Sequence, residues 1–126
     1  MPEADRYLAK AHESLGEARQ IIQIGLAAVA ARSAYYAAFH AAEAYIFAKT
    51  GRVGKTHAGV RTEFVRLARN EAKISRAMTT FLPKAYQYKE IGDYNIDPKI
   101  VVTMLNAETA ITAAEEFLTC IGSILA

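Results

Sequence analysis

Between positions 100 and 125 the residues Ile100, Met104, Ala107, Ile111, Ala114, Leu118, Ile121 and Leu125 recur at alternating intervals of four and three. That spacing draws a single apolar stripe along a helix and leaves Glu108, Glu115 and Glu116 off it. A strand, with its period of two, would scatter the same residues over both faces. Asp97-Pro98 ahead of the stripe offers an N-cap and a proline suited to the first helical position. A long helix is therefore expected over about 98–123. Its stripe must be buried, and the rest of the chain has to supply the helices that cover it.

Leu8, Ala11, Leu15, Ala18 and Ile22 repeat the pattern, with Glu3 and Asp5 at the positive end of the dipole and Gly25 as the stop. A more buried helix is expected over about 27–49. It carries no charge between Ser33 and Ala42, is dense in alanine, and has Tyr35, Tyr36, Phe39, Tyr45 and Phe47 to fill space, with Gly51 as its C-terminal cap. A third helix starts near Thr56 or His57, its face formed by Val60, Phe64, Leu67 and Ala68. A fourth is expected over about 74–92, using Ile74, Met78, Phe81, Leu82 and Ala85. Pro83 inside it predicts a kink or a division into two shorter helices. No alternating strand pattern and no internal repeat occur. The expected fold is all-α, an up-and-down bundle of about five helices in a single domain over residues 1–126.

Composition excludes several classes. With 52% apolar and 22% charged residues, 3 Pro and 7 Gly, the chain is not disordered. One cysteine, Cys120, rules out an intrachain disulfide framework and fits a reducing cytoplasm. It falls beside the apolar stripe of the last helix and is expected to be a buried structural thiol. Met1-Pro-Glu-Ala-Asp-Arg does not resemble an export signal, and Gln23, Arg32, His40 and Glu43 interrupt the longest apolar stretch, so no membrane span is expected. The three histidines, His12, His40 and His57, fall on different helices without a paired ligand motif, so no metal is expected. Gly51-Arg-Val-Gly-Lys-Thr lacks the glycine spacing and preceding strand of a phosphate loop.

Charge is unevenly placed. Residues 1–48 hold four basic and five acidic residues, and residues 77–126 hold three and six. Residues 49–76 hold eight basic residues against Glu63 and Glu71, a local excess of six (eight minus two). Such a stretch can neutralise phosphates on RNA or a nucleotide, or lie solvated opposite an acidic helix.

Two motifs are more specific. Ser33-Ala-Tyr-Tyr-Ala-Ala-Phe-His-Ala-Ala-Glu-Ala and Lys55-Thr-His-Ala-Gly-Val, followed by Gly92-Asp-Tyr and a long last helix, resemble the HEPN domain family, in particular its small stand-alone prokaryotic members. The resemblance covers nearly the whole chain. It implies a helical bundle, a homodimer, and a partner nucleotidyltransferase in a toxin–antitoxin type module. Active members are metal-independent RNases that use an Arg, four to six intervening residues and a His, often with a Tyr two places on. Paired across a dimer, these residues orient the ribose 2′-hydroxyl and support developing charge. This chain departs from that motif, reading Lys89-Glu-Ile-Gly-Asp-Tyr94. Lysine lacks the bidentate fork of arginine, and an ionised Asp93 cannot act as a cationic stabiliser. Relatives also carry an Arg two places before the Tyr pair; here Ser33 holds that place, and the one-residue shift turns Arg32 by about 100° around the helix.

Lys89, Asp93 and Tyr94 are thus the candidate catalytic residues by resemblance. Tyr36, His40, Lys55, His57 and Arg61 are the candidate nucleotide- or RNA-binding residues. Adjacent Tyr35 and Tyr36 point apart, one into the core and one to a cleft, with His40 on the Tyr36 face. His57 opens a helix beside Lys55 and Arg61, where an anion or a plain cap would both fit. The resemblance further implies nucleotidylation of a tyrosine near the site, with Tyr94 the candidate. No cofactor is implied. Three readings follow: an RNA- or nucleotide-binding HEPN-like subunit with metal-independent RNase activity, a non-catalytic nucleotide- or partner-binding subunit of a nucleotidyltransferase, and a plain dimerisation module.

Overall fold

Alanine sets the architecture. In a computed structural model describing residues 2–126, the helix α2 (Ala27–Thr50) buries Ala30, Ala31, Ala34, Ala37, Ala38, Ala41, Ala42 and Ala44. Small side chains on several faces let neighbouring backbones approach toward the short end of the usual 8–10 Å range. All four other helices accordingly pack on α2: α1 (Pro2–Gln23), α3 (His57–Ala68), α4 (Arg76–Tyr94) and α5 (Met104–Leu125). No strand occurs among the described residues. Met1, the first residue of the polar N-terminal stretch, lies outside them.

α1 and α4 run one way, and α2 and α5 the other. α1 turns at Gly25, whose φ of +82° favours glycine, and α2 returns. The C-terminal end of α4 meets the start of α2, where a Cβ on Gly92 would stand 3.1 Å from that of Ala28. From the same end α5 runs back along α1, linked by the Arg19–Glu115 ion pair at 3.2 Å. Tyr45 on α2, Phe64 on α3 and Phe117 on α5 form a continuous aromatic chain through the core, at centroid distances of 5.7 and 5.3 Å. Among the described residues no helix is long and apolar enough to cross a membrane.

The expected elements are present, with three differences. The last helix begins at Met104, not near 98. Asn95 is the reason: its side-chain amide donates to the carbonyls of Asp97 (2.9 Å) and Ile100 (2.8 Å), fixing a turn, while the Asp97 carboxylate accepts from the Lys99 N–H. The β-branched run of Ile100, Val101, Val102 and Thr103 then disfavours helix. Thr103 takes the cap, in a reciprocal capping box with Asn106 at 3.0 Å in both directions. Second, α4 passes through Pro83 as one helix, with the proline on its exposed side. Third, Cys120 is only half-buried; its thiol donates to the Lys73 carbonyl at 3.2 Å, and burial pushes its pKa up. Gly51 caps α2 as expected, in the left-handed region with φ of +77°.

Candidate functional site

The charge-free face of α2 turns toward the start of α3 and the second half of α4, and an aromatic layer fills the junction. Tyr35 is fully buried, whereas Tyr36 is half-buried one position on. Thr56 caps α3 by accepting from the Gly59 N–H at 2.9 Å, which leaves His57 as the first helical residue. Its ring turns inward and stacks on Phe39 at 4.5 Å, with Tyr35, Tyr36 and Tyr86 within 6 Å. His57 is therefore part of the layer, not an exposed donor at a helix end.

A polar spine crosses this layer. The Tyr35 hydroxyl lies 2.6 Å from His57 Nδ1. Burial pushes the Tyr35 phenol well above its usual range, outweighing the Arg61 guanidinium beside it. Burial, followed by the charges of Lys89 and Arg61, pulls His57 below its ordinary value. A protonated phenol beside a neutral imidazole fixes the bond: Tyr35 donates, Nδ1 accepts, and His57 carries its proton on Nε2. The Arg61 guanidinium lies over the Tyr86 ring, 4.0 Å from its centroid, and among the described residues its buried Nη1 has no hydrogen-bond partner.

Charged groups gather at the α4 end of the layer. Asp93 is held from two sides, by Arg32 at 3.1 Å and by Lys89 at 3.2 Å. The Lys89 side chain is 12% exposed, and its ammonium lies 5.7 Å from the Tyr86 centroid and 5.4 Å from that of Tyr94. Burial pulls the Lys89 pKa down, but Asp93 and the phenols of Tyr36 and Tyr94 together hold it above its ordinary value. Tyr94 is 69% exposed. On α2, His40 stacks one turn beyond Tyr36 at 6.2 Å and bonds Glu43 through Nδ1 at 2.7 Å.

The chain matches the HEPN domain family over residues 4–124. It is also 32% identical over 96 residues, 76% of this chain and 75% of the relative, to a UPF0332 protein of Archaeoglobus fulgidus. The chain belongs to the HEPN domain family. Its HEPN bundle brings Lys89, Asp93 and Tyr94 together at the end of α4, and sets Tyr36, His40, His57 and Arg61 in or beside the adjoining layer. Lys55 stands apart, exposed in the loop before α3.

Three contributors were not selected from the sequence. Arg32, turned away from the position of the relatives' Arg, nevertheless reaches Asp93, because Gly92 lets α4 approach the first turn of α2. Tyr35 supplies the buried hydroxyl, and Tyr86 the ring that holds Arg61. A spacing of Tyr86, Lys89, Asp93, at three and four residues, was the available signal for a shared α4 face. Among the described residues no group of three or more His, Cys, Asp or Glu side chains converges as a metal site.

Proposed function

We propose that this HEPN protein binds RNA or a nucleotide, as one half of a toxin–antitoxin type module with a nucleotidyltransferase, and works in the cytoplasm as a homodimer. The carrying observation is the group formed by Arg32, Lys89, Asp93 and exposed Tyr94, at one end of a helix flanked by the basic residues of α3. Two cations on one carboxylate leave a net positive charge where an anion can approach. Exposed Tyr94 offers a ring for base stacking and a phenol open to a partner's nucleotidyl transfer.

A homodimer through this end fits the distribution of apolar surface. Among the described residues, the large exposed apolar side chains lie in the 24–26 turn or between 94 and 105, and Ile96 is 96% exposed. The Gly92–Ala28 approach places both segments at the same end of the bundle. A second copy covering that end would bring two Asp93–Tyr94 groups near each other.

Metal-independent RNA cleavage is the second reading, favoured by the His40–Glu43 pair. A carboxylate 2.7 Å from Nδ1 orients the imidazole and leaves Nε2 to take the proton of a ribose 2′-hydroxyl. The 2′-oxygen then attacks phosphorus and the bond to the 5′-oxygen breaks, that oxygen taking a proton from water, with Arg32 and Lys89 supporting the added charge.

The test is incubation of purified protein with labelled RNA in excess chelator, beside Asp93→Ala and His40→Ala. Cleavage lost in both variants, with their helical circular dichroism unchanged, supports the nuclease. No cleavage by wild type, together with a nucleotide- or partner-dependent rise in Tm, supports binding without catalysis. Equal cleavage by all three proteins overturns the assignment of these residues.

A further inference from the structure

The outer side of the α3–α4 junction is open. Two hollows of about 510 and 630 Å³ lie along it and share Val65 and Arg69 as walls, so they form one continuous trough. Arg61 and Pro83 line the end nearest the aromatic layer, and Arg76 and Thr79 the far end. Pro83 has no N–H to offer its helix, and its ring forms part of the trough wall.

The charges in this trough differ from those at the α4 end. Arg66 is already committed to Glu63 in a two-pronged pair at 2.6 and 2.9 Å. Arg61, Arg69 and Arg76 have no carboxylate partner among the described residues, and Glu71 is the acidic residue on the wall. From Arg61 to Arg69 the helix rises about 12 Å. The trough thus presents three guanidinium groups that, among the described residues, have no carboxylate partner, and its inner end opens where Arg61 lies over Tyr86, next to Lys89.

We propose that the α3–α4 trough is the track for the backbone of single-stranded RNA, with Arg61, Arg69 and Arg76 each taking one phosphate and the strand leading on toward Lys89 and Tyr94. This rests on the RNA-binding reading above and names the form of the nucleic acid and its path. A concave channel between two helices admits one strand; a duplex presents two backbones on a convex surface and cannot enter it. Guanidinium groups pair with phosphate oxygens in bidentate fashion, and the exposed ring of Tyr94 beyond the inner end suits an unpaired base.

The test is fluorescence anisotropy with a labelled oligouridine 12-mer, titrated over a range of salt concentrations. Three phosphate contacts predict a slope of log K against log salt of about −2. Arg69→Ala/Arg76→Ala changes two side chains exposed on the surface; it should weaken binding at least about tenfold at 0.1 M salt and bring the slope to about −0.7. Arg6→Ala/Lys10→Ala on α1, away from the trough, should bind like wild type. Binding by wild type that the trough variant retains overturns this inference and leaves the RNA-binding reading standing. No binding of either single-stranded or duplex RNA by wild type overturns both. A duplex bound as tightly as the single strand overturns the single-strand assignment. Capture of polyglutamate in place of RNA, lost in the trough variant, makes the trough a protein-docking surface and refutes the RNA track.

Discussion

Replacing Tyr35 and His57 by phenylalanine, singly and together, tests the polar spine. Tyr35 is completely buried and its hydroxyl lies 2.6 Å from His57 Nδ1. Tyr35→Phe keeps the ring and its contacts but leaves Nδ1 facing aromatic rings with no donor. An unsatisfied buried acceptor costs about 1–3 kcal/mol, and for a chain of this size each kcal/mol lowers Tm by roughly 3–5 °C. His57→Phe preserves a ring to stack on Phe39 and instead orphans the Tyr35 hydroxyl, at a similar cost. In the double variant neither polar atom remains, and the pair becomes an apolar contact in an already aromatic layer. Its loss should be smaller than the sum of the single losses by about 1–2 kcal/mol. Thermal and denaturant unfolding of the four proteins measures the difference. Tyr35→Phe should also raise the His57 pKa, read by NMR titration, because the bond it removes favours the neutral imidazole. Single losses that add to within about 0.3 kcal/mol, with an unmoved His57 pKa, would refute the idea that a Tyr35-to-His57 hydrogen bond holds α3 against α2.

Acid should weaken the fold through the same histidine. The folded His57 pKa lies below its unfolded value of about 6.5, so its contribution is fully present above that pH and is lost as pH falls through the folded value. Tm measured from pH 7 downward should therefore fall for wild type, with a shallower fall in His57→Gln; identical profiles would show that another group governs the loss. At the start of α5, Thr103→Ala removes the acceptor for the Asn106 N–H and should cost about 1 kcal/mol, whereas Asp97→Ala should leave Tm nearly unchanged. The reverse order in a thermal melt would restore Asp97 as the cap.

Much of the bundle is legible in the sequence because long helices carry redundant signals. Of the stripe read from spacing, Ala107, Ile111, Ala114, Leu118 and Ile121 are buried, whereas Ile100 and Met104 at its N-terminal end are exposed. The start of α5 could not be read that way. Asp97-Pro98 is a good local cap, and it loses to Asn95, whose amide ties two carbonyls together in a turn. The candidate site was legible where chemistry and helical spacing coincide, as in Tyr36 and His40, and through the family resemblance for Lys89 and Asp93. It was illegible where one contact depends on the distance between two helices. Arg32 reaches Asp93 because Gly92 lacks a side chain opposite Ala28, and no pattern within α2 alone encodes that.

The pairing of charges separates two roles that a count of basic residues merges. At the end of α4, Arg32 and Lys89 share Asp93, and on α2 His40 is bound to Glu43. These groups hold one another in place, so their geometry is fixed before any ligand arrives, and an incoming phosphate must compete with Asp93 for its two cations. Preorganised, mutually compensated groups suit orientation and proton transfer better than capture. Along the trough the order is reversed, since Arg69 and Arg76 are exposed, have no carboxylate partner among the described residues, and lose little when a phosphate replaces water. Arg61 belongs to both regions, with its guanidinium over Tyr86 and its side chain on the trough wall. A strand gripped by the outer arginines would therefore be delivered past Arg61 to a set of groups already arranged to receive it.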